Sequence, residues 1–142
     1  MKIMSVLDFI FKKQRRAKYQ YRRLSLSPVD VRKIQDEWAR VDELVNLGKP
    51  SQLRQAVIKA DNVLDLALSK ITVGNSVGER LKNARPYFRD FAVYQGLWEA
   101  HKVRNALVHE AEYEPMHTVT KDAIAKFKLG LEALGARLER QL

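Results

Sequence analysis

The chain contains no cysteine, which excludes a disulfide framework, a thiolate metal site and a cysteine nucleophile, and fits a reducing compartment. Six glycines and four prolines in 142 residues are too few for a collagen-like or linker-dominated chain. Neither the Walker phosphate loop nor the dinucleotide-binding glycine fingerprint occurs, so ATP-driven and nicotinamide chemistry are disfavoured and no cofactor is expected. The longest apolar stretch, residues 3–11, is interrupted by Ser5 and Asp8 and falls far short of the about 20 residues that span a bilayer. Its positive charges follow it and no small-residue cleavage site comes after, unlike a secretory signal. Histidine is also scarce: His101, His109 and His117 recur every eight residues. On a helix that interval is about 12 Å, too long for two of them to hold one metal ion as an i, i+4 pair can.

What the chain does have is a hydrophobic fraction of 46%, enough for one compact domain with a true core, and a net charge of +9. The charge is unevenly placed. Residues 1–26 hold eight basic groups against the single acid Asp8, a net +7, which leaves +2 for the other 116 residues. An N-terminal arm, 1–26, is therefore distinguished from a nearly neutral body, 27–142. In the arm, Lys12, Lys13, Arg15, Arg16, Lys18, Arg22 and Arg23 are the candidate anion contacts. Ile3, Leu7, Ile10 and Phe11 share one side of a short amphipathic helix. Residues 1–23 could thus lie on an anionic membrane surface. With Tyr19 and Tyr21 as stacking platforms they could clamp nucleic acid. They could also dock on the body with a solvated basic face. The expected location is cytoplasmic, at most peripheral at the inner membrane face.

The body shows helical periodicity throughout and no sustained alternation. It reads as an all-α, up-and-down bundle of about four main helices plus a short one. Ser27-Pro28-Val29-Asp30 is a helix start, and that helix ends near Gly48. Pro50 opens a second helix running to about Ile71. Gly74-Asn75-Ser76-Val77-Gly78 matches the G-x-S-x-G string of the hydrolase nucleophile elbow, but a helix and not a strand precedes it, so the elbow is rejected. Ser76 with Glu79 reads instead as a capping box for a short helix to about Ala84. A long helix is expected over about 87–109, and a last one over 119–141, capped by Thr118 or Thr120, with His117 in the loop before it.

The long helix changes character along one face. Phe91, Tyr94, Leu97 and Trp98 give way to His101, Arg104, Asn105 and His109. Burying such groups is costly unless partners satisfy them, so they meet internal partners or line a cleft. Arg104 and His109 lie about 140° apart around the axis and could flank one phosphodiester. Arginine supplies a permanently charged fork of donors, and a histidine moves protons near neutral pH. Asn105 could orient the imidazole or donate to the substrate. Alternatively, the set bonds the closing loop and a buried acid such as Asp61, with His101 in support, and holds the bundle together.

Arg104-Asn105-Ala106-Leu107-Val108-His109 resembles the R-x4-6-H signature of the HEPN superfamily, over a stretch of about 50–142. The resemblance implies a helical domain that forms homodimers, binds RNA and, in many members, cleaves it without a metal. It would make Arg104 the phosphate ligand, Asn105 the polar position and His109 the group that activates the ribose 2′-hydroxyl or protonates the leaving oxygen. Glu110, Glu112 and Glu114 follow the motif, so cations from a partner subunit would be needed to offset them. The competing reading is a noncatalytic helical interaction module attached to the membrane through its arm.

Overall fold

The computed structural model describes residues 5–8 and 25–138. Among them there are only helices: α1 (Pro28–Leu47), α2 (Pro50–Ile71), α3 (Val77–Asn83), a 3-10 turn (Arg85–Tyr87), α4 (Phe91–His109) and α5 (His117–Ala133). No strand is present among the described residues. The arm residues Lys12, Lys13, Arg15, Arg16, Lys18, Arg22 and Arg23 lie outside them. Within 5–8, Ser5 accepts the Asp8 N–H at 3.2 Å and donates to its carboxylate at 2.8 Å, and Val6 and Leu7 are exposed.

The helix boundaries follow from local chemistry. Ser27 accepts the Asp30 N–H at 3.1 Å, Asp30 accepts the Ser27 N–H at 3.1 Å, and Pro28 occupies the first turn, a reciprocal capping box. Gly48 ends α1 in the left-handed region at φ 71°. With Pro50 two residues later the chain must reverse, which sets α1 and α2 as an antiparallel hairpin. Ser76 caps α3 by accepting the Glu79 N–H at 3.1 Å. The expected return bond is displaced by one residue, since Glu79 accepts from the Asn75 N–H at 2.6 Å.

Ser27 holds Asp30 below the ordinary 3.8 of its carboxyl, first through the backbone N–H and then through the hydroxyl. A carboxyl depressed by folding adds stability that is present above its unfolded pKa and is lost as pH falls through the folded one. Wild type should therefore be more stable than Asp30→Ala at neutral pH. The difference should shrink as the solution is acidified below about pH 4, which urea denaturation across that range would measure.

Two expected boundaries are corrected. The long helix starts at Phe91 and not near 87, because Pro86 sits in the 3-10 turn and Asp90 caps α4 by accepting the Ala92 N–H at 2.9 Å. The last helix spans His117–Ala133 and not 119–141. Its N-cap is Met116, which offers no side-chain acceptor; the Thr120 hydroxyl bonds inside the helix to the His117 carbonyl at 2.9 Å, and His117 is helical. At the other end Gly135 turns left-handed at φ 104°, with Gly135 N–H on Glu132 O at 3.0 Å and Ala136 N–H on Leu131 O at 3.0 Å. This paired closure satisfies the last carbonyls and stops the helix. Leu138 is still buried, but on a non-helical segment tied to α1 by the Gln35 amide, which donates to Arg137 O at 2.6 Å.

The core is organised around α2, which packs against α1, α3, α4 and α5 and buries ten residues. Val57, Ala60, Leu64 and Leu68 share one core with Ile34, Trp38 and Val41 of α1 and Leu97, Leu107, Phe127 and Leu131 of the α4–α5 pair. The α4–α5 crossing is close because Gly130 carries no side chain: a Cβ there would lie 2.3 to 2.5 Å from three atoms of Leu97. The bundle thus consists of two helical hairpins clasping a shared interface, and that interface contains the polar cluster described next.

Candidate functional site

Two polar residues of α2 face α4. Arg54 and Asp61 are seven apart, close to two full turns, so they fall on one side of the helix. Arg54, partly buried, donates to the Leu107 carbonyl and, at 3.5 Å, to that of Tyr113. It thereby satisfies a last-turn carbonyl at the negative end of the α4 dipole and fixes the loop beyond it.

Two turns along, Asp61 is fully buried at 0% exposure. Its Oδ1 lies 2.7 Å from His101 Nδ1, and its Oδ2 lies 3.4 Å from Arg104 Nε, near enough for an ion pair but not aligned as a hydrogen bond. Arg104 Nη1 donates to Asn105 Oδ1 at 3.0 Å, and Asn105 Nδ2 lies 3.3 Å from His101 Nε2. These four side chains close a ring: Asp61 to His101, His101 to Asn105, Asn105 to Arg104, and Arg104 back to Asp61. The edge of the Trp98 ring meets the imidazole with centroids 6.2 Å apart, and Tyr94 meets Trp98 at 6.4 Å, so an aromatic wall leads up to the polar ring. A buried carboxylate flanked by an imidazole, a guanidinium and an amide spreads its desolvation cost over several partners.

The Arg104 side chain remains 26% exposed, so its guanidinium is anchored on one side and open on the other. His109, the last residue of α4, is exposed and makes no hydrogen bond or ion pair among the described residues. Of the residues anticipated from sequence, the structure joins Asp61, His101, Arg104 and Asn105 and leaves His109 apart from them. A cleft of about 590 Å³ opens where α4 ends, lined by Leu53, Arg54, Leu107, Tyr113, Glu114 and His117 among others. His117, expected in a loop, reaches this cleft from the first turn of α5.

Sequence reasoning missed Arg54. The available signal was its seven-residue spacing from Asp61 on a face of α2 that otherwise carries Val57, Ala60, Leu64 and Leu68. Among the described residues no group of three or more histidine, aspartate or glutamate side chains could hold a metal ion, and no helix is long and apolar enough to cross a membrane. Comparison with family models, curated proteins and solved structures finds no match to this chain.

Proposed function

We propose that the end of α4 is a phosphate-binding site for RNA in a HEPN-like helical domain, and that it cleaves the bound strand without a metal. One observation carries this reading: Arg104 is pinned by Asp61 and Asn105 while a quarter of its side chain stays open, and an exposed imidazole with no partner among the described residues, His109, ends the same helix. The pinning holds the guanidinium's direction and so reduces the entropy lost on capturing a phosphate. Arg104 binds the non-bridging oxygens by charge-assisted hydrogen bonds. His109 takes the 2′-hydroxyl proton or returns one to the leaving oxygen, and a second subunit offsets the exposed Glu110, Glu112 and Glu114.

The test is incubation of the full chain with mixed RNA in excess EDTA. Wild type should cut, and His109→Ala should lower the rate by about 100-fold or more. Arg104→Ala should weaken RNA binding as well as cleavage. Binding that depends on Arg104 with no cleavage by wild type would leave a noncatalytic RNA-binding module; cleavage unchanged in His109→Ala would remove the catalytic role.

A further inference from the structure

Donor and acceptor bookkeeping around the polar ring leaves a single consistent arrangement. Ionised Asp61 only accepts, so His101 Nδ1, 2.7 Å from it, carries a hydrogen. The Asn105 amide is oriented by Arg104, whose Nη1 can only donate and so faces Oδ1, at 3.0 Å. That leaves Nδ2 on His101 Nε2 at 3.3 Å, and because Nδ2 can only donate, Nε2 must present a lone pair. In this arrangement the imidazole is neutral, with its proton on Nδ1, and the amide is read at both ends.

A proton arriving on Nε2 breaks that agreement. Two donors then face each other, Nε2–H and the Asn105 NH2 group. The amide can restore the contact only by turning Oδ1 toward His101, which swings Nδ2 against the Arg104 guanidinium, again donor to donor. Arg104 loses its aligned hydrogen bond and keeps only the unaligned 3.4 Å approach to Asp61, whose charge is now shared with an imidazolium.

We propose that the Asn105 amide couples protonation of His101 to release of Arg104, so that the guanidinium turns outward as His101 becomes charged. The charged groups facing His101 are Asp61 from α2 and Arg104 from α4. One turn along α2, Asp65 is already paired with Arg80 of α3 at 2.7 Å, and among the described residues α5 sends no hydrogen bond or ion pair to the ring. The His101 side chain is 10% exposed, so a proton from solvent can reach it. The release concerns the same site as the proposed function, and its consequence for anion capture rests on that reading.

The experiment is a nitrogen-15 NMR pH titration of the full chain from mildly alkaline to mildly acidic solution, followed by sulfate addition at both ends. In wild type, the protection of the Arg104 guanidinium hydrogens, taken relative to the intrinsic exchange rate at each pH, should fall by about tenfold on acidification, the effect of losing one hydrogen bond to a charged group, with the same midpoint as the His101 ring nitrogens. In Asn105→Leu, checked for folding by circular dichroism, Arg104 should show the same low protection, relative to the intrinsic rate, at every pH. In His101→Asn, whose amide can still donate to Asp61, the midpoint should vanish. A His101 ring that stays neutral at the acid end, an Arg104 that ignores its protonation in wild type, or an Arg104 that still follows it in Asn105→Leu would each overturn the coupling. Sulfate separates this from the functional reading. Binding that tightens at the acid end in wild type and is lost in Arg104→Ala supports both, whereas release without sulfate binding keeps the coupling and defeats the phosphate site.

Discussion

Replacing Asp61 with alanine should lower the unfolding free energy by about 3–5 kcal/mol, the range for removing one partner of a buried ion pair. The carboxylate is fully buried, and without it the His101 Nδ1–H and Arg104 Nε–H lose their counter-charge where little water can replace it. For a domain of this size the fall in Tm is on the order of 10 °C or more. Asp61→Asn is the informative companion. It keeps an oxygen for His101 and nearly the same volume, so its smaller loss isolates the charge from the cavity. Urea unfolding of both variants measures the difference, and an Asp61→Ala protein within about 1 kcal/mol of wild type would mean that solvent reaches the ring far more freely than the burial implies.

The second large effect is expected at Gly130. An alanine methyl would start inside the Leu97 side chain, 2.3 Å from Cδ2 and 2.4 Å from Cγ, so α4 and α5 must separate or Leu97 must leave its rotamer. Overpacking of this kind costs about 1–3 kcal/mol, and overlap with three atoms puts Gly130→Ala at the top of that range, about 3 kcal/mol. The cause can be assigned by a double-mutant cycle. In a Leu97→Ala background the methyl enters vacated space, and the penalty of Gly130→Ala should fall to about zero or reverse. Additive losses would instead point to a backbone shift elsewhere, since helix propensity by itself favours alanine over glycine.

The fold was largely legible because its punctuation is local. Ser27-Pro28, Gly48 with Pro50, and Ser76 each act within a few residues, and the helices they delimit appear where the sequence puts them. The end of α5 was also written locally, in Gly135, but the apolar spacing of Leu131, Leu134 and Leu138 continues past it and reads as more helix. Leu138 is buried by the fold and not by helical periodicity, a distinction the pattern alone does not carry. At the site, the polar face of α4 and the candidacy of Asp61 were legible, since buried charge on an apolar stripe demands a partner. Which histidine meets Asp61 was not. That depends on how far α2 and α4 are offset along their axes, and the Arg54 hold on Leu107, which ties the two helices together, is a contact between segments distant in sequence.

The division into two hairpins has a kinetic consequence. Pairing α1 with α2 closes a loop of only two residues, and pairing α4 with α5 closes one of seven. Both steps therefore carry little loop-closure entropy and belong early in folding. Bringing the hairpins together is the step that strips water from Asp61, His101 and Arg104, so its barrier contains a dehydration cost that neither hairpin bears alone. Mutations in the polar ring should then act mainly on the rate of docking and undocking, while substitutions within either hairpin change how readily each half forms.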